Sequence, residues 1–262
     1  TLLSGTSLMQ TESALCSATY EEVQAVLRFE PMTLRLRHAF GTSHSSTITR
    51  ENALFTCEIV ENTPEGTKEQ VVAVGYGESG LPPKKPKCYL ADIADCADFF
   101  SVYSQRLATF SGFESAPDPF LAVRTASTSA GSSDTLFELR CCSVDGENGV
   151  MMRRVNVLFR ALFAVLDAVQ EEPRYRAPKS GLEAALLDAW SRALKLPFAQ
   201  FLGVPASRIA LPNDSDESHS TAIPTRSFYT AAMNESVSEM CESASFGLQF
   251  TPAIKIKLDD RL

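Results

Sequence analysis

From residue 222 to residue 258 the chain reads strand, helix, strand, and that order constrains its fold more than any other feature. A strand pattern covers 222–230 and a helical pattern covers 235–244. A second strand then carries Ala253-Ile254-Lys255-Ile256-Lys257-Leu258. Two strands joined by a helix within about forty residues make a βαβ unit, with a parallel pair and a crossover that is almost always right-handed.

A different pattern precedes this unit. Leu34-Arg35-Leu36-Arg37 and Ala53-Leu54-Phe55-Thr56-Cys57-Glu58-Ile59-Val60 alternate as strands, with the polar loop Gly41-Thr42-Ser43-His44-Ser45-Ser46-Thr47 between them. Val71-Val72-Ala73-Val74-Gly75-Tyr76-Gly77-Glu78 reads as a third strand ending in a glycine-rich turn, and Asn62-Thr63-Pro64-Glu65-Gly66 supplies the hairpin before it. Helical spacing follows over 89–110 and 154–169. Ser180-Gly181-Leu182-Glu183 fits a capping box that opens a further helix, which Pro197 ends. Residues 1–24 form a weakly patterned, Ser/Thr-rich lead-in. A three-stranded meander, then helices, then a β/α array is the order of an α+β capping domain leading into a barrel. The expected division is a capping domain at 25–205, with a loop-rich insertion near 111–152, and two barrel strands at 206–262.

Composition narrows the function. The formal net charge of -8 argues against nucleic acid as the main partner, because phosphate binding needs a basic patch. Arg153-Arg154 and Lys84-Lys85-Pro86-Lys87 are the basic clusters, and both read as solvated loop or helix-end residues. No apolar run approaches the roughly 20 residues that cross a bilayer. Cys16, Cys57, Cys88, Cys96, Cys141, Cys142 and Cys241 have no metal-site spacing and are odd in number. They point to reduced packing thiols in a cytoplasmic compartment, while the start at Thr1 leaves room for an upstream targeting segment. The acidic loop Asn213-Asp214-Ser215-Asp216-Glu217-Ser218 lacks the glycine and distal glutamate of a calcium loop.

The last strand carries the candidate chemistry. Side chains alternate along a strand, so Ile254, Ile256 and Leu258 face one way and Lys255 and Lys257 the other. Enclosed together, two ammonium groups lower each other's pKa through desolvation and like-charge repulsion. An amine tuned in this way can take a proton from carbon. The alternative is a surface strand with two solvated lysines.

With these pieces in order, the chain resembles the enolase superfamily, in its muconate-lactonizing branch, and most closely the dipeptide epimerases. The resemblance rests on Gly75-Tyr76-Gly77-Glu78-Ser79 and on the helix and turn from Ala184-Ala185-Leu186-Leu187-Asp188-Ala189-Trp190 to Leu196-Pro197-Phe198-Ala199-Gln200-Phe201-Leu202-Gly203. It continues through Thr225-Arg226-Ser227-Phe228-Tyr229-Thr230 and Lys255-Ile256-Lys257. It implies an α+β cap followed by the start of a (β/α)7β TIM-like barrel, incomplete in this chain. It implies that Lys257 abstracts and returns a proton next to a carboxylate, with Lys255 beside it near the substrate carboxylate. Thr230 would line a dipeptide site, and His44 and Ser45 fall in the loop where Ala-Glu epimerases often offer an arginine. Arg50 stands slightly later. A magnesium ion is also implied, with acidic ligands expected beyond Leu262, so that the chain reads as an inactive fragment of an isomerase. The implied partners are a small-molecule dipeptide and, for the full-length protein, other copies in a homo-oligomer. Muconate cycloisomerisation, o-succinylbenzoate synthesis, N-acylamino acid racemisation and a non-catalytic truncated relative stay open as alternatives.

Overall fold

The computed structural model describes residues 12–42, 45–62, 69–81, 90–119, 147–202, 229–231 and 236–256. It divides into two compact units, Thr1–Met32 with Glu51–Ala206, and Thr33–Arg50 with Ser207–Leu262.

The first unit is helices packed on one face of an antiparallel sheet. The strands are β1 (Ala14–Tyr20), β2 (Val23–Thr42), β3 (Ser45–Asn62) and β4 (Glu69–Leu81), side by side in chain order. Both β2 and β3 run on from this unit into the residues of the second. Strand β1 stands at 14–20 where a lead-in is expected, residues 1–11 lying outside the described residues, and it turns the expected three-stranded meander into four strands. Its sequence ALCSATY alternates, with Cys16 and Tyr20 packed toward the core and Leu15, Ser17 and Thr19 outward. Its inward residues are mostly small, so the contrast between faces is weak in sequence. Pairing with β2, Cys16 opposite Leu27, is what stabilises it. The turn at Glu21 and Glu22 puts Glu21 at φ 52, in the left-handed region, and Arg154 holds both carboxylates of that turn.

Period-two alternation buries Val23, Ala25, Leu27 and Phe29 of β2 with Ala53, Phe55, Cys57 and Ile59 of β3. A register shift between Ile59 and Val60 marks a bulge near the end of the β3–β4 ladder. Against this face lie α1 (Ile93–Ala108), α2 (Glu147–Ala168) and α3 (Arg176–Ala193), with a 3-10 turn (Pro173–Tyr175) and the short α4 (Phe198–Phe201) packed on those helices. Phe29, Phe55 and Phe100 meet with ring centroids 5.6 to 6.2 Å apart. Phe159 stacks on Trp190 at 5.3 Å, and the indole N–H donates to Asn156 Oδ1 at 2.7 Å. The indole thus fills the core without leaving a buried donor unpaired.

Helix ends depart from the sequence reading in instructive ways. Helix α1 starts where Asp92 and Asp95 form a reciprocal capping box, each carboxylate accepting the other's backbone N–H. The capping box expected at Ser180 and Glu183 does not exist, because α3 begins at Arg176 and Ser180 lies inside it. Pro178 sits in the first turn, where its missing N–H costs no helical bond. At the other end Lys195 adopts φ 53 and its N–H reaches Arg192 O, closing the helix before Pro197. Helix α2 begins at Glu147, inside the insertion expected to be loop-rich near 111–152, and residues 111–119 carry no helix or strand. Residues 120–146 lie outside the described residues.

The closest approach in the unit is between α3 and β4. A Cβ on Gly75 would fall 2.7 Å from Ala189 Cα and closer still to Ala189 N and Ala185 O. On Gly77 it would fall 2.6 Å from Ala185 N and closer to Gly181 O. A Cβ on Gly181 would meet Phe55 Cδ2 at 2.8 Å and overlap Ser79 Oγ. Backbone therefore packs directly on backbone. Asp188 Oδ2 adds a hydrogen bond from Tyr76 N at 3.1 Å, satisfying an outward N–H on β4.

The second unit contains β5 (Tyr229–Ala231), α5 (Val237–Gly247) and β6 (Ile254–Ile256). The two strands pair in parallel, so the strand–helix–strand order does form a βαβ unit. Ser236 caps α5 by accepting from Glu239 N. Gly247 lets α5 close on Tyr229, whose Cβ would lie 2.8 Å from a Cβ added there. The expected strand over 222–228 lies outside the described residues.

Two outcomes check this description. Gly75→Ala forces two backbones apart and is expected to cost about 3 kcal/mol, at the upper end of overpacking penalties. Urea unfolding followed by Trp190 fluorescence reads it, and a loss below about 0.5 kcal/mol, the level of an ordinary surface substitution, refutes the seam. Burial pushes the Cys57 thiol far up and the Cys96 thiol up to about 12, from an ordinary 9.0, with Asp95 and Asp92 adding to the latter. Unfolded thiols ionise near pH 9 while these stay protonated, so stability falls as pH rises above about 9. In the native chain, alkylation at about pH 8 should modify exposed Cys241 and spare Cys57 and Cys96, as read by peptide mass mapping.

Candidate functional site

The candidate site is the β5–β6 pair. In its register Tyr229 faces Ile254, Thr230 faces Lys255 and Ala231 faces Ile256. Two residues singled out from sequence, far apart along the chain, are thus neighbours on adjacent parallel strands. The cause is local: α5 returns the chain so that β6 lies beside β5, with Tyr229 N donating to Ala253 O at 3.0 Å. Tyr229 and Phe246 meet edge to face at 6.0 Å and hold the helix on the pair.

The described residues do not supply the enclosure that would tune Lys255 and Lys257. Ile254 is half-buried, but Ile256 is 55% exposed and Lys255 is exposed. The described residues therefore do not build the closed apolar pocket that would tune an amine. Among the described residues, a pair of three-residue strands with one packed helix cannot cover both faces of a parallel sheet. Lys257 and His44 lie outside the described residues. Ser45 is the first residue of β3.

No group of three or more His, Cys, Asp or Glu among the described residues could hold a metal ion. The acidic ligands that the resemblance implies are expected beyond Leu262, so no described residue is assigned to a metal. Among the described residues, no helix is long and apolar enough to cross a membrane.

A polar staple that sequence reasoning missed lies at the end of β4, in the first unit. Asn52, 5% exposed, donates from Nδ2 to Glu78 Oε1 and accepts from Leu81 N at 3.3 Å. Ser79 Oγ donates to Ala177 O at 2.7 Å, tying the same strand end to the start of α3. In sequence Asn52 is one polar residue before an apolar run. Only its pairing opposite Gly80 shows that it can lean across to Glu78 and Leu81. The Gly77-Glu78-Ser79 motif is thus structural in each of its residues: one permits close packing and two hold the strand end.

No protein-family model matches the chain. An enolase superfamily member from Dictyostelium discoideum is 29% identical to it over 238 residues, which is 91% of this chain and 48% of that protein. The likeness supports the enolase superfamily. The antiparallel sheet with its helices is compatible with the N-terminal capping domain of that superfamily. The chain spans about half the length of the curated relative it matches.

Asn52→Leu removes the acceptor that satisfies Leu81 N in a buried setting and should cost about 1–3 kcal/mol. Amide hydrogen exchange at Leu81 should accelerate in step. An unchanged exchange rate there would show that the staple does not hold the strand end.

Proposed function

We propose that a protein of the relative's length carrying this sequence is an isomerase of the enolase superfamily, and specifically a dipeptide epimerase. The observation that carries the reading is the parallel β5–β6 pair with Thr230 opposite Lys255, supported by the 29% identity to an enolase superfamily member. In this reading Lys257, two residues beyond Lys255, is the base. Its neutral amine takes the hydrogen from the carbon α to the substrate carboxylate, and the electron pair passes into the carboxylate as an enediolate. Lys257 alone returns a proton only to the face it came from, so inversion takes a second acid on the opposite face, supplied by residues other than those described, to deliver the proton there. The Lys255 ammonium, next to the carboxylate, favours the charged intermediate over the neutral substrate and keeps its neighbour unprotonated. Thr230, on the adjacent strand, orients the dipeptide, with His44 and Ser45 contributing to its side-chain pocket.

Enclosure is the reading's physical requirement. An amine in water is protonated at neutral pH and removes no carbon-bound hydrogen. The exposed Lys255 of the described unit must therefore be covered in the active protein by residues other than those described.

The test is α-deuterium uptake in D₂O by a library of dipeptides, measured by NMR with the full-length protein and added magnesium chloride. Epimerisation with deuterium incorporation is expected for a subset of dipeptides, and Lys257→Ala should lower exchange by about 10²–10⁴-fold. Wild-type exchange in that variant would remove Lys257 from the chemistry. Exchange into N-acylamino acids alone would move the activity to racemisation within the same branch.

A further inference from the structure

We draw no further inference here: the strongest candidate, the exposed apolar surface of the second unit made by Phe246, Leu248 and Phe250 at the end of α5 with Ile256 on β6, carries nothing because nothing in the structure shows what covers it.

Discussion

The first unit depends on a contact with no side chain in it. Gly75 and Gly77 of β4 meet Gly181, Ala185 and Ala189 of α3 backbone to backbone. The match is geometric. Two residues along a strand advance about 6.6 Å, and four along a helix advance about 6 Å, so every second strand residue meets every fourth helical one. The two elements run oppositely there, with Gly75 at Ala189, Gly77 at Ala185 and Ser79 at Gly181. A helix seated this low brings Phe55 against Gly181 and leaves Trp190 to be filled around by Phe159 and Phe201. The aromatic core takes its depth from the seam.

The seam also settles how β4 ends. With α3 pressed on it, Tyr76 N is within reach of Asp188, and Ser79 Oγ within reach of Ala177 O. Asn52 completes the arrangement from the neighbouring strand by satisfying Leu81 N and holding Glu78. Two of these bonds satisfy backbone N–H groups of β4, at Tyr76 and Leu81, that would otherwise be unpaired. In the second unit a glycine serves differently: Gly247 admits the Tyr229 side chain to the surface of α5, on the strand that pairs with β6.

Much of this was legible in the chain, and the failures share a cause. Alternation marked β3 and β4 because Phe55, Cys57 and Ile59 contrast with polar neighbours. It missed β1 because Ala14, Cys16 and Ala18 are small and the contrast is slight. The Ser180–Glu183 pattern names an N-cap at Ser180, whereas the fold places the N-cap five residues earlier, at Tyr175. A tertiary bond from Ser79 to Ala177, and a proline free to enter the first turn, outweighed the local motif. For the candidate site, sequence alone put Thr230 and Lys255 into one βαβ unit, and the tertiary register sets them opposite each other. Alternation could assign Lys255 to a face, but not say whether that face is closed. Closure depends on neighbours outside the strand, and here Lys255 and Ile256 are both exposed.

By itself the sequence determined the strong local periodicities: the strands and helices whose two faces contrast, which of their residues share a face, and the βαβ order that makes two strands parallel. These follow from bond geometry and side-chain contrast within a few residues. Only the tertiary structure decided where two backbones touch, why three glycines rather than alanines line that contact, which polar groups staple β4, and that the β6 lysine is open to solvent. Each of those depends on atoms brought together from distant parts of the chain, and no short-range pattern encodes the distance between them.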